Sequence, residues 1–314
     1  MSPPAGWRAR AFPPAEAAHA TSMVEVAQTL ISGISIGCIY ALVALGFVLI
    51  YKATEVVNFA QGELMMIGAF FAYTFVDLGG MPFTLGLLAA LAATGLFGAA
   101  LNHGLLRPLL GRSPFTIVLA TVALATLLRS VASMIPGWGT QTHRLSHPFG
   151  GQTLRAGGVA VSYEHLLVIA ATLALCAALY LFFRFTRLGV ALQAASQNQL
   201  AAGYCGIPVR RMHSLTWAIS AAVSALAGAL LAPMTFVHTG MGYIGLKAFP
   251  AAVIGGFGSI PGAIFGGLIL GVIEEFAGLY LPEGVKNIAA YAALLLLLMV
   301  RPQGLFGLSM RERV

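Results

Sequence analysis

The densest run of polar side chains inside an apolar stretch of this chain is Val57-Asn58-Phe59-Ala60-Gln61-Gly62-Glu63. On a helix, Asn58 and Gln61 lie three positions apart and share a face, whereas Glu63 lies off that face. Such groups could line a path for a polar solute, with Gly62 beside them and Glu63 holding a neighbouring helix or loop. They could equally cap a helix or form interhelical hydrogen bonds, and the sequence leaves both interpretations open.

The other reactive side chains do not form a catalytic pattern. Glu274 and Glu275 would point about 100° apart on a helix, which favours a packing partner plus an interfacial charge over acid/base work. Cys38, Cys176 and Cys205 are far apart and lack a histidine at ligand spacing. The sequence has no HExxH and no lysine after a GxxxxG loop. We therefore expect no enzyme, no metal and no cofactor bound by this chain, and any ATP used must be hydrolysed by a partner.

The composition places most of the chain in lipid. Of its 314 residues, 59% are hydrophobic and 9% are charged, with a mean hydropathy of +0.88. A soluble domain carries roughly 25% charged residues. The net charge of +7 comes from basic residues scattered over several loops, which is typical of cytoplasmic loops in a membrane protein rather than of a nucleic-acid-binding surface.

Eight apolar blocks, each bounded by proline, glycine or charge, supply the spanning segments. They run approximately over Val24–Tyr51, Val56–Val76, Phe83–Leu106, Phe115–Ile135, His165–Phe183, Leu215–Val237, Phe249–Leu279 and Val285–Val300. We therefore predict an all-α integral membrane protein, a polytopic helical bundle of about eight to ten transmembrane segments.

The positive-inside rule orients these blocks. It places the loop with Arg107 and Arg112, the loop Arg184–His213 and the C-terminus on the cytoplasmic side. The segment 136–164 then forms an outer loop. Residues 1–22 are rich in proline and alanine and are expected to be a disordered tail, with Met23 as an alternative start that N-terminal sequencing would test. Residues 23–307 form the transmembrane domain, and 308–314 form a cytoplasmic tail.

One block is predicted to be broken or re-entrant. An even number of passes must connect the inner loop at His213 to an inner C-terminus, yet three blocks are visible there. Within Phe249–Leu279, six residues of Gly255–Gly262 are glycine, proline or serine, which disfavours a continuous helix. Non-helical backbone at membrane depth lies inside protein or beside a water-filled cavity, so Gly255, Gly256 and Gly258 are further candidates for path lining. A glycine-rich turn near the interface remains an alternative.

Isolated charges near the outer side have simpler expected roles. Arg129, within the fourth block, is expected to extend toward the outer interface. His238 and Lys247 flank an outer loop and are expected to be solvated.

The loop Arg184–His213 is the most distinctive cytoplasmic segment. It holds four arginines and no acidic residue, and its uncharged middle, Leu192–Pro208, is expected to form a short helix that docks on a partner. Within it, Leu200-Ala201-Ala202-Gly203-Tyr204-Cys205-Gly206-Ile207 matches the spacing E-A-A-x-x-x-G of permease subunits in ABC transporters. Leu200 stands where that pattern has glutamate.

Further stretches make the resemblance specific, and it covers about Val24 to Gly307. In order, these stretches resemble the LivH-type permeases of branched-chain amino acid ABC importers. They are Gly37-Cys38-Ile39-Tyr40-Ala41-Leu42-Val43-Ala44-Leu45-Gly46, the run Val57–Glu63, Leu106-Arg107-Pro108-Leu109, Gly111-Arg112-Ser113-Pro114, Gly255-Gly256-Phe257-Gly258-Ser259-Ile260-Pro261-Gly262-Ala263 and Arg301-Pro302-Gln303-Gly304-Leu305-Phe306-Gly307.

The resemblance implies a multi-pass permease subunit of the bacterial inner membrane. It would pair with a second, LivM-type permease, two ATPase subunits that use the ATP, and a periplasmic binding protein that delivers the solute. The segment 184–213 becomes a coupling loop. The residues expected to contact the ATPase are Leu200, Ala201, Ala202, Gly203, Gly206, Ile207, Arg187, Arg210 and Arg211.

The resemblance implies alternating access driven by the partner ATPases, and it leaves the solute open. Very similar permeases carry urea, short amides or other small organic solutes instead of branched-chain amino acids. A different class of protein, a stand-alone secondary carrier or channel, is the competing interpretation. The docking loop and the scarcity of mid-membrane acids argue against it.

Overall fold

A computed structural model of the chain describes residues 15–109, 111–156 and 159–307. These residues form a helical bundle with one small hairpin. The helices are α1 (Ala15–Thr54), α2 (Gln61–Tyr73, continued by a π-helical turn at Thr74–Leu78), α3 (Phe83–Leu101, continued by a π-helical turn at Asn102–Leu106 and a 3-10 turn at Arg107–Leu109), α4 (Pro114–Met134), α5 (Tyr163–Phe185), α6 (Arg187–Gln197), α7 (Gln199–Tyr204), α8 (Val209–Thr235), α9 (Met241–Gly255), α10 (Ile260–Tyr280) and α11 (Glu283–Val300). The hairpin pairs β1 (Thr153–Ala156) antiparallel with β2 (Val159–Ser162), with Thr153 opposite Ser162.

The predicted fold class is confirmed. Six helical segments of the described chain are long and apolar enough to cross a membrane: the part of α1 from Met23 on, α3 with its extension, α4, α5, α8 and α10. The helices α2, α9 and α11 are shorter. Two helices, α1 and α8, have most of their apolar spans buried inside the bundle, whereas only 22% of the α4 span and 17% of the α5 span are buried.

Helix contacts and the positive-inside rule together fix the sidedness. In α1, Gly33 lies against Val272 and Gly37 against Leu268 of α10, so the two helices are antiparallel. With the basic loops inside, α10 begins at the inner side and α1 runs from outside to inside. Four helices, α8 to α11, then connect the inner loop to the inner C-terminus. Four is an even number of passes, as two ends on the same side of the membrane require.

Small residues set the closest helix approaches, as their four-residue spacing indicates. One face of α10 places Gly267 and Gly271 on the backbone of α1, at Ala41 and Gly37. Another face of α10 places Gly266 on the backbone of α9. The glycines therefore allow α10 to pack tightly on two helices at once.

The break between α9 and α10 is present, but it lies at the inner end of the bundle. The glycine-rich turn follows Gly255, and Ser259 caps α10 by accepting a hydrogen bond from the Gly262 amide. Backbone amides of Leu305 and Phe306 donate to the carbonyls of Ile254 and Gly255. The turn thus packs against the cytoplasmic C-terminal segment, which agrees with the interfacial alternative.

Three other details differ from the sequence-based expectation. Residues 15–22, expected in the disordered tail, have helical backbone that continues α1, because this segment is rich in alanine, the best helix former. The expected single helix over Leu192–Pro208 is two helices, α6 and α7, because Asn198 interrupts the first and caps the second. The outer loop contains the β1–β2 hairpin. Residues 1–14 of the predicted tail and the predicted tail 308–314 lie outside the described residues.

Candidate functional site

The polar run found in the sequence forms a buried cluster at the start of α2. Residues 55–60 are non-helical, and Gln61 opens α2 between α1 and α8. The Gln61 amide Nε2 donates to Ser224 Oγ at 2.5 Å and to Ser220 Oγ at 2.9 Å, while Asn58 Nδ2 donates to Gln61 Oε1 at 3.2 Å. Ser220 Oγ also donates to the Gly46 carbonyl at 2.9 Å. The network therefore fastens α2 to both α1 and α8.

Helix α2 can begin inside the bundle because nearby groups accept hydrogen bonds from the backbone amides at its start. The Ala60 amide donates to Asn58 Oδ1 at 3.0 Å, and the Gln61 amide donates to the Asn58 carbonyl at 3.2 Å. Gly62 lies directly on the backbone of Gly242 and Gly245 in α9, so no larger residue fits there. Non-helical backbone of this kind is tolerated in a membrane because it is enclosed by protein.

Glu63 forms an intramembrane ion pair with Arg129. Its side chain is 2% exposed, and its Oε1 accepts from Arg129 Nη2. The carboxylate also lies against Gly242 in the first turn of α9, where the helix dipole favours a negative charge. The Arg129 guanidinium stacks over the Tyr243 ring, 3.8 Å from its centroid. Arg129 thus points into the bundle, and the expectation that it extends to the outer interface was wrong.

The predicted path residues fall into two separate groups. Asn58, Gln61, Gly62 and Glu63 share the buried cluster. Gly255 and Gly256 lie at the inner turn, where Gly256 has a φ of +96° and contacts Gly304 and Gly307, while Gly258 is exposed. In this conformation the first group is buried within the bundle.

The coupling loop presents an apolar pair to the cytoplasm. Leu200 and Tyr204, one turn apart on α7, are 76% and 91% exposed. Ala202 of the same helix is only 5% exposed and packs with Leu192, Ala195 and Met212 on the inner side of the loop. The helix therefore has one face bound to its own chain and one apolar face directed outward.

The remaining predicted coupling residues surround this pair. Gly206 has a φ of +80° and turns the chain after α7, a conformation that favours glycine. A groove of about 510 Å³ runs beside α7 and is lined by Leu200, Glu55, Arg112 and Arg210 among others. Ile207 is half-buried. The other predicted coupling residues are exposed: Ala201, Gly203, Arg187 and Arg211.

Sequence reasoning missed two features of the site. Tyr204 was not recognised as the partner of Leu200, although their spacing of one helical turn was visible. Lys247, expected to be solvated, donates to Glu274 Oε1 at 3.2 Å, and Tyr40 Oη donates to Glu274 Oε2 at 2.6 Å. This second buried polar cluster ties α1, α9 and α10 together, and no local pattern links residues so far apart in the sequence.

Gln61→Leu should destabilise the bundle by about 1–3 kcal/mol, because it leaves the buried polar groups of Asn58, Ser220 and Ser224 without their shared partner. Ser224→Ala is the matched control. It should cost on the order of 0.6 kcal/mol, a typical interhelical hydrogen bond in a membrane, since Ser220 still holds Gln61. Thermal unfolding of the purified complex measures both, and equal stability of the two variants would contradict the network.

Comparison with known proteins adds family information to this geometry. The family model described as "Branched-chain amino acid transport system / permease component" matches residues 29–300. The chain is 32% identical to the high-affinity branched-chain amino acid transport system permease protein BraD of Pseudomonas aeruginosa, covering 91% of this chain and 97% of that protein. It is 30% identical to LivH of Escherichia coli K12, with the same coverage, and 27% identical to a probable LivH of Methanocaldococcus jannaschii, covering 86% and 89%.

Proposed function

The chain belongs to the family of permease components of branched-chain amino acid transport systems, and from that premise we propose that it forms part of the transmembrane path of an ABC importer for leucine, isoleucine and valine. It is a multi-pass subunit of the bacterial inner membrane. The structural observation that carries the proposal is α7, whose outward apolar pair suits docking on a cytoplasmic partner.

The family implies partner ATPases and a substrate-binding protein. We further propose that a second, LivM-type permease completes the path. ATP would be bound and hydrolysed only by the partner subunits, because the sequence has no phosphate-binding loop with a lysine. This chain would then transmit the motion of the ATPases to the membrane bundle and catalyse no reaction itself.

The packing behind α7 supports that role. Ala202 packs with Met212 at the start of α8, and Leu192 and Ala195 belong to the same cluster, against which Phe182 and Phe183 of α5 pack. The Gln199 side chain on α7 donates to the Ala53 carbonyl at the inner end of α1 at 3.1 Å. A displacement of α7 would therefore move α1, α5 and α8 together.

The cluster at the start of α2 is the proposed gate of the path. Its amide and hydroxyl groups join α2 to α1 and α8, the same two helices that α7 engages. Moving α8 relative to α1 would break the bonds of Gln61 and expose Asn58, Gln61, Gly62 and Glu63 to the solute. The turn at Gly255, Gly256 and Gly258 would line the inner end of the path, where the turn meets the C-terminal segment.

Uptake competition tests the proposed solute. Cells that depend on this transporter should accumulate labelled leucine, and excess unlabelled isoleucine or valine should suppress that uptake, whereas urea and acetamide should not. Suppression by urea or acetamide alone would assign the chain to another solute. Uptake that persists without the ATPases and follows an ion gradient would indicate a stand-alone carrier.

A further inference from the structure

The outer half of α4 carries a polar stripe that the proposed gate does not include. At about 100° per residue, its polar side chains fall within an arc of about 100°: Thr126, Arg129, Ser130 and Ser133. Thr126 and Ser130 are exposed, whereas Leu127 and Val131 form a separate exposed apolar face. The helix thus has a buried face, an apolar outer face and a polar face between them.

This stripe lies at membrane depth. Arg129 is 15 positions beyond the start of α4 at Pro114, which places it about 22 Å along the helix from its inner end. The hydrocarbon core is roughly 30 Å thick. Arg129 is therefore within the apolar layer or at its outer margin.

The charge of Arg129 decides what the stripe faces. The Thr126 and Ser130 hydroxyls donate to carbonyls of their own helix, so they alone would be tolerated in lipid. Arg129, however, remains 26% exposed beside its ion pair, and the Tyr243 ring that covers it is itself 61% exposed. A charged side chain at this depth faces protein or a water-filled cavity, not lipid.

Two neighbours orient the Arg129 guanidinium and leave part of it accessible to an anion. Glu63 fixes it from the buried side and Tyr243 stacks on its plane, which leaves part of a planar, five-donor group open on the exposed side. Guanidinium is the side-chain group best matched to a carboxylate. The two hydroxyl-bearing residues beside it add a polar surface along the same helix.

We propose that the seam between the outer half of α4 and the first turn of α9 is a wall of the solute path, and that Arg129 binds the carboxylate of the passing amino acid. This inference rests on the proposed function for the identity of the solute. The first part of the proposal, that the seam is a wall of the path, requires only that water reaches the seam in the assembled transporter.

Water access is tested by thiol labelling of the complete complex. In a background with Cys38, Cys176 and Cys205 replaced by alanine, Thr126→Cys and Ser130→Cys should react with a sulfonated methanethiosulfonate at least about tenfold faster than Leu127→Cys and Val131→Cys. Both pairs lie on the same turns of α4, so depth is matched. Equal, slow reaction at all four positions would overturn the proposal and indicate that the seam is sealed by lipid or by the second permease.

Carboxylate binding is tested by the double variant Glu63→Gln/Arg129→Gln. It replaces one neutral pair by another, so complex yield and thermal stability should stay near wild type while leucine uptake falls about tenfold or more. A purely structural ion pair predicts normal uptake in this variant, and that result would overturn the role of Arg129. If the variant fails to assemble, Arg129→Lys decides, because it keeps the charge beside Glu63 but loses the planar five-donor guanidinium. Wild-type leucine uptake in Arg129→Lys would overturn the role of Arg129. Failure of the wild-type complex to move leucine would instead refute the proposed solute, and the labelling result would still stand.

Discussion

Replacing Leu200 and Tyr204 by aspartate should separate this permease from its ATPases while leaving the membrane bundle folded. These side chains are 76% and 91% exposed on α7, so the substitutions remove little packing within the chain. Desolvating a carboxylate in an apolar docking cleft without a partner costs several kcal/mol, which corresponds to at least about a hundredfold loss of affinity. Co-purification of the ATPases with the tagged permease measures this loss.

Conservative variants of the same two positions supply the control. Leu200→Met and Tyr204→Phe keep the apolar surface and should retain the ATPases. Ala202→Asp would be a poor test of docking, because Ala202 is buried against Leu192 and Met212 and its replacement would disrupt the loop itself. Retention of the ATPases by the double aspartate variant would show that α7 is not the docking element.

Gly267→Leu should abolish the folded bundle. Gly267 lies directly on the backbone of Ala41 in α1, and at the neighbouring contact a β-carbon on Gly37 would lie 2.8 Å from the Leu268 α-carbon. Overpacking among side chains typically costs 1–3 kcal/mol. Here the obstacle is backbone, which has no alternative rotamer, so α1 and α10 must separate. We expect the monodisperse fraction in detergent to fall by about tenfold or more relative to wild type.

Gly104→Leu is the matched control for this substitution. Gly104 lies in the helical extension of α3, and a β-carbon there would meet no atom within 4 Å. The same glycine-to-leucine change should therefore leave the monodisperse fraction unchanged. Equal losses for Gly104→Leu and Gly267→Leu would attribute the effect to leucine in general instead of to the α1–α10 contact.

The sequence predicted the class of fold because this depends on overall composition, and the tight helix contacts follow a spacing of small residues that is visible in the sequence. Few charges require lipid, and small residues at four-residue spacing, such as Gly33 and Gly37, lie where α1 meets α10. The break after Gly255 was also predictable from its glycine content. Its position at the inner end was not, because it depends on contacts with the distant Leu305 and Phe306.

The partners of buried polar residues were beyond the reach of local patterns. Arg129 pairs with Glu63, which is 66 positions away, and Gln61 bonds to Ser220, which is 159 positions away. A lone arginine near a helix end suggests an interfacial position when its partner is unknown. Only the packing of α2 between α4, α8 and α9 shows that this arginine turns inward.

Leucine uptake into proteoliposomes is the most direct measurement of the central claim. Vesicles containing this chain, the proposed second permease and the partner ATPases, supplied with leucine-loaded binding protein outside and ATP inside, should accumulate leucine. Accumulation should cease when ATP is omitted or when the permease carries Leu200→Asp/Tyr204→Asp. Accumulation of leucine by this chain without the ATPases would contradict the account.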